Sequence, residues 1–144
     1  MVIERTIKIN VPDWAFWQAL ILAGLDEERG GHYECDWTAN GRINWISENG
    51  LSCFYGKILQ ISKMRYLSFI KYDNRPNQQV VSLITYNMLA YNGDLVVKFT
   101  SDFLHANMSQ GRNTEADWLE NHLVKLASIA RKIQLLSETK QYYA

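Results

Sequence analysis

The sequence predicts an α+β fold: an antiparallel sheet of about six strands covered on one face by a long C-terminal helix, with two short helices after the first strand. Three observations carry this. Residues 3–9 alternate at period two. A run of strand-like segments between 42 and 100 is cut by turn signals. A helical stripe of apolar residues closes the chain from 119 to 136.

The first strand places Ile3, Arg5, Ile7 and Ile9 on one side and Glu4, Thr6 and Lys8 on the other. Asn10 then offers a helix N-cap, and Pro12 suits a first turn, where its missing N–H is not needed. Trp14, Phe16, Trp17, Ala19, Leu20 and Ile21 make the following helix short and strongly apolar, and Gly24 weakens or ends it. Residues 25–41 carry charges and three glycines without a clear period, which predicts a second short helix and a loop.

Strands are then expected at Arg42–Glu48, Leu51–Ile61, Tyr66–Tyr72, Val80–Met88 and Asp94–Thr100. Asn49-Gly50 and Asn92-Gly93 are hairpin signals, because both residue types tolerate positive φ. Gly56 inside its strand marks a bulge or a close backbone approach. Residues 101–113 read as a polar loop, and Thr114 with Asp117 as a capping box that opens the last helix. Its stripe is Leu119, Leu123, Leu126, Ala130, Ile133 and Leu136, with Trp118, His122 and Ile129 beside it.

Composition narrows the function classes. The 144 residues correspond to one domain over 1–144, and a chain of this length buries about 68–70% of its unfolded surface, enough for a core without disulfides or metal. Fifteen Lys and Arg balance fifteen Asp and Glu, which argues against a nucleic-acid partner, since that needs a basic face. No run approaches the roughly 18 apolar residues of a membrane span. The charged, alternating N-terminus is not a signal peptide, so a cytoplasmic location with Cys35 and Cys53 as thiols is expected.

The order of elements resembles the START-like superfamily, also called helix-grip or SRPBCC, and within it the activator of Hsp90 ATPase homologue 1-like family. Asn10-Val11-Pro12-Asp13-Trp14-Ala15-Phe16-Trp17-Gln18-Ala19-Leu20 is similar to that family's Ala-Pro entry followed by hydrophobic-Trp-x-Ala-Leu. Asn40-Gly41-Arg42-Ile43-Asn44-Trp45 resembles its Gly-Gly-x-aromatic strand start. Gly56-Lys57-Ile58-Leu59-Gln60-Ile61 with Leu67-Ser68-Phe69 resembles its Gly-x-Val-x-Glu-Val and Leu-x-aromatic strand pair. Ala116-Asp117-Trp118, with Leu123 and Leu126, resembles the Gly-Trp start of its closing helix. The chain departs at Gln60, near a frequent glutamate, and over Asp26–Trp37, which lacks a Trp-Trp or Trp-Phe. The resemblance implies a curved sheet gripping the helix around a cavity for small apolar or amphipathic molecules, and it implies no single reaction.

Metal and catalytic signatures are weak. His32-x-x-Cys35 with Cys53 falls short of paired zinc spacing, and a loop histidine with two thiols accounts for it. Gly50 to Gly56-Lys57 fails as a phosphate loop on spacing and context, and no nucleophile elbow occurs. No cofactor or metal is therefore expected. His122 lies one turn after Trp118 and borders the helical stripe, where it would either point into the cavity, to bond a ligand or act as an acid or base, or stand as a boundary histidine bonded to solvent or to a sheet tyrosine. Arg5 has inward parity, which would bring it to a pocket unless its stem carries the charge to water.

The expected cavity lies between the sheet and the N-terminal half of the closing helix, lined by Trp45, Tyr55, Phe69, Tyr86, Trp118 and His122. A curved sheet and a straight helix must diverge at one end, and the larger and more polar residues sit there. The leading function is a non-catalytic binding protein for a small hydrophobic or amphipathic molecule. Two other classes stay open: a co-chaperone-like domain touching an Hsp90-type partner, and a cyclase- or hydrolase-type enzyme using His122. An open sheet edge makes a homodimer plausible.

Overall fold

A computed structural model describes residues 2–21, 31–47, 49–72, 80–103 and 109–143, the side chains of 52–54, 109–119 and 139–143 excepted. The elements are β1 (Val2–Ile9), α1 (Asp13–Ile21), β2 (Gly31–Cys35), β3 (Arg42–Ser47), β4 (Ser52–Ser62), β5 (Tyr66–Tyr72), β6 (Val80–Tyr91), β7 (Asp94–Phe103) and α2 (Ser109–Tyr143). All strands join one antiparallel sheet in the order β1-β7-β6-β5-β4-β3-β2.

The five expected meander strands are β3 to β7, and chain order becomes sheet order because each is joined to the next by a short connection. The β6–β7 hairpin closes at Asn92-Gly93, with φ of 50° and 80°, the left-handed pair that matches strand twist. Asn49-Gly50 behaves differently. Ser47 N–H donates to the Leu51 carbonyl at 2.8 Å and Gly50 N–H to the Ser47 carbonyl at 2.9 Å, so the connection spans residues 48–50, and Gly50 but not Asn49 has a positive φ (83°). Gly56 is a close-approach point: a Cβ there would collide with the Ile70 carbonyl oxygen. The bulge in β4 comes three residues later, where the pairing with β5 slips between Ile58 and Gln60.

Several expectations need correcting. The sheet has a seventh strand, β2, inside the stretch read as a helix and loop. Gly31, Tyr33 and Cys35 share one face, and this alternation is too short and too glycine-rich to stand out. The rest of the expected second helix, and Gly24, fall at 22–30, outside the described residues. The helix cap is Pro12 rather than Asn10, because the Pro12 carbonyl accepts the first helical bonds, from Ala15 at 3.1 Å and Phe16 at 3.4 Å. Helix α2 begins at Ser109, five residues before the expected Thr114, and β7 runs on to Phe103.

The core lies between the inner sheet face and the helices. Ile3, Ile43, Ile58, Leu67, Ile84, Leu95 and Val97 rise from the strands to meet Phe16 and Leu20 of α1 and Leu123, Leu126, Ile129 and Ala130 of α2. The stripe of α2 stops at Ile133. Leu136 is 63% exposed, because the helix, about 52 Å long, outruns the sheet and α1 beneath it. Among the described residues no helix is long and apolar enough to cross a membrane.

Candidate functional site

The inner face concentrates aromatic and polar groups at one place. Tyr33 and Trp45 are directly paired across β2 and β3, Leu67 pairs with Tyr86 across β5 and β6, and Tyr86 pairs with Phe99 across β6 and β7. Alternation turns these rings toward α2, which lowers His122 among them. The imidazole stands edge-on to Trp45 (5.0 Å between centroids, 88°) and near Tyr33 (6.1 Å) and Tyr86 (6.4 Å). Tyr33 in turn touches Trp45 at 4.8 Å and Phe69 at 6.0 Å. Such edge-to-face contacts contribute about 0.5–1.5 kcal/mol each beyond area burial.

A hydrogen-bonded chain runs through this box. Tyr33 Oη and Tyr86 Oη are 2.8 Å apart, and Tyr86 Oη lies 2.9 Å from His122 Nε2. The imidazole tautomer sets whether Nε2 accepts from Tyr86 or donates to it. His122 is 2% exposed, so the bond to a sheet tyrosine is buried. In a water-poor surrounding such bonds are stronger than at the surface, and their loss is more costly.

Three hydroxyls add a second polar feature. Ser47 follows Trp45 on the inner parity of β3, Ser82 precedes Ile84 and Tyr86 on β6, and Ser101 lies between Phe99 and Phe103 on β7. In this antiparallel sheet all three sit toward the same end, from which the chain leaves β7 for α2. Their Oγ atoms are buried with no hydrogen-bond partner among the described residues, and Ser82 and Ser101 are 0% exposed. A buried hydroxyl left unsatisfied costs about 1–3 kcal/mol, so native proteins rarely keep several together without water or a ligand.

The structure brings together four of the expected lining residues, Trp45, Phe69, Tyr86 and His122, all nearly or fully buried. Two others lie elsewhere. Tyr55 has the opposite parity on β4 and stacks on Tyr72 (5.5 Å, 33°) over the outer face, in a groove of about 510 Å³ with Asn40, Arg42, Asn44 and Lys57. Arg5 keeps its inward parity, but its Nε donates to Glu120 Oε1 at 3.1 Å and Nη1 to the Glu4 carbonyl at 2.9 Å, with its side chain 42% exposed. It therefore forms a surface ion pair with α2, worth about 0–1 kcal/mol. The Trp118 side chain lies outside the described residues.

Tyr33 was not foreseen, because its strand was not. The serines carried a readable signal in their parity with Trp45, Tyr86 and Phe99. His32 and Cys35 have opposite parity on β2 and cannot share a ligand; the Cys53 side chain lies outside the described residues. Burial pushes the Cys35 thiol up, with the Asp36 charge adding to it and the bond from Trp37 N–H to Sγ (3.1 Å) opposing. That thiol is a poor nucleophile at neutral pH.

No protein-family model matches the chain, and no curated protein matches it. Solved structures do. A protein of Mesorhizobium loti superposes with a TM-score of 0.77 at 14% identity, over 92% of this chain and 98% of the other. The Aha1 dimer of Colwellia psychrerythraea gives 0.69 at 14% identity, over 90% and 96%. An HSP90 activator of Plasmodium falciparum gives 0.70 at 19% identity, over 90% and 95%. The chain has the Aha1-like helix-grip fold, as the sequence resemblance implied.

Proposed function

We propose that this chain, acting as a single domain, binds a small hydrophobic or amphipathic molecule between the inner sheet face and the N-terminal part of α2. The observation that carries the reading is the set of buried hydroxyls, Ser47, Ser82 and Ser101, gathered at one end of an otherwise apolar face beside the Tyr33–Tyr86–His122 chain. An apolar face with a few convergent polar groups is what orients a small ligand. The molecule's polar end meets the hydroxyls, and its apolar body meets Phe69, Ile84 and Phe103. His122 acts here by its bond to Tyr86, and no reaction is assigned to it.

Native mass spectrometry of the purified chain, with thermal melts against lipids, sterols and aromatic metabolites, tests this. A ligand specific for the folded state stabilises it by about 2.7 kcal/mol at a hundred times its Kd. A retained adduct of a few hundred daltons or a ligand-dependent rise in Tm is expected; a bare chain with no shift from any compound would remove the reading.

A second reading is contact with an Hsp90-type chaperone, favoured by the fold likeness to Aha1 and to an HSP90 activator. The Colwellia protein is described as a dimer, and β1 and β2 leave two sheet edges here, so self-association belongs to the same reading. Repeated recovery of such a chaperone from a native extract would support it; a monomer that recovers none would count against it.

A further inference from the structure

The outer sheet face carries a second set of groups that the inner-face reading leaves unused. Pairing across β3, β4 and β5 puts Arg42, Lys57 and Ile70 in one row and Asn44, Tyr55 and Tyr72 in the next. Arg42 and Lys57 are thus direct cross-strand neighbours of like charge, an arrangement that costs stability when nothing offsets it. Neither forms an ion pair with a described carboxylate, Glu34 included, which stands opposite Asn44 on β2. Before β3, a turn closed by Gly41 N–H on the Thr38 carbonyl (3.0 Å) brings Asn40 alongside. Asn40 N–H donates to the Ile58 carbonyl at 2.9 Å, and Ile58 N–H to the Gly41 carbonyl at 2.8 Å. Asn40, Arg42, Asn44, Tyr55, Lys57 and Tyr72 thereby line one groove of about 510 Å³, the size of a small-molecule site.

Two cations side by side call for a doubly charged oxyanion. A phosphate monoester is close to a dianion at neutral pH, whereas a carboxylate carries one charge. Arg42 offers a planar fork of donors and Lys57 a mobile point charge, a combination suited to one phosphate group. One row away the half-buried Tyr55 and Tyr72 rings, tilted at 33° with centroids 5.5 Å apart, offer ring surface in the groove to a further planar system. Asn40 and Asn44 add amides that both donate and accept, as the edge of a nitrogen heterocycle requires. Successive outward residues stand about 7 Å apart along a strand, a gap for a sugar between phosphate and base. We infer that the outer groove binds a nucleoside monophosphate, its phosphate on Arg42 and Lys57 and its base against Tyr55 and Tyr72, with Asn40 and Asn44 at the base edge. The zero net charge and a cationic row of two fit one phosphate and not the basic track that a polynucleotide needs. This site lies on the face opposite the inner one and does not depend on it.

The probes are AMP, adenosine, phenyl phosphate and inorganic phosphate. Each is titrated into the isotope-labelled chain at pH 7.5 and about 50 mM salt, where charges within a groove are weakly screened, and followed by backbone amide NMR. AMP should shift the amides of residues 40–44, 55–57 and 72. It should bind at least about fivefold more tightly than any of the other three, since each lacks one part of the contact. Arg42→Gln and Lys57→Gln should each weaken AMP by about fivefold or more and leave adenosine within about twofold. Tyr72→Leu should weaken AMP by about the same factor and leave inorganic phosphate unchanged. Circular dichroism and a thermal melt check that the variants fold, and the four-probe comparison in the intact chain needs no variant. AMP binding no tighter than the other probes, shifts confined to another part of the chain, or an AMP affinity that survives removal of both charges would overturn the site. So would the absence of any AMP-dependent shift.

Discussion

Tyr86→Phe is the sharpest probe of the buried hydrogen-bonded chain. The phenol is fully buried and bridges Tyr33 Oη at 2.8 Å and His122 Nε2 at 2.9 Å, so deleting one oxygen removes two hydrogen bonds. The ring keeps its edge contact with Phe99 at 4.7 Å, and no cavity of methyl size opens. The loss is therefore polar. At about 1–2 kcal/mol for each of the two bonds broken in a buried setting, the variant should lose about 2–4 kcal/mol. In a chain of this length that lowers Tm by roughly 6–15 °C. Urea denaturation followed by far-ultraviolet circular dichroism measures it, with an unchanged m-value showing that the same surface unfolds. Pairing Tyr86→Phe with His122→Leu in a double-mutant cycle should give a coupling of about 1–2 kcal/mol, because the two substitutions remove a shared bond. A loss below about 0.5 kcal/mol, or no coupling, would refute the chain.

Other outcomes follow from the same geometry. Ser101→Ala removes a buried hydroxyl with no protein partner among the described residues, so the unliganded chain should be unchanged or more stable by up to about 1 kcal/mol, while a ligand held on the inner face dissociates faster; chemical denaturation and calorimetry read the two effects. Gly56→Ala drives a methyl into the Ile70 carbonyl and should cost at least about 2 kcal/mol in urea unfolding, since neither backbone can yield cheaply. In a Cys53→Ser background, Cys35 should react with a disulfide reagent at pH 8 several-fold more slowly than a free cysteine, because its folded thiol resists ionisation. The sign of its pH linkage follows. Above the ordinary thiol range the unfolded chain releases the proton first, so the Cys35 contribution is present below that range and is lost as pH rises toward the raised folded value. Cys35→Ala should flatten that alkaline loss in urea titrations.

What could be read in the sequence was local or strongly periodic. The Asn92-Gly93 hairpin needs only its own two residues, and the stripe from Leu123 to Ile133 repeats often enough to reveal the buried face of α2. Strand β2 escaped because its alternating side is Gly31, Tyr33 and Cys35, and with it went Tyr33, the ring that joins Trp45 to the hydrogen-bonded chain. Leu136 and Thr114 misled for a shared reason. A helix continues past the layer it covers and starts before its best capping residue, and neither limit is written in the local pattern. Arg5 had the right parity and a different fate, because a long stem let its guanidinium reach Glu120 on the surface. Tyr55 was grouped with the inner rings by composition, and counting parity from Ile58 puts it outside. The serines were visible by the same count, but only once the register across β5, β6 and β7 supplied their neighbours.

The most direct test is a crystal structure of the purified chain grown with decanoate. Electron density for the acid should fill the space between the inner sheet face and α2, its carboxylate within hydrogen-bond distance of Ser82 Oγ and Ser101 Oγ. Both hydroxyls bonded to side chains of the chain itself, with the face packed shut against α2 and no acid density beside it, would contradict binding at this site.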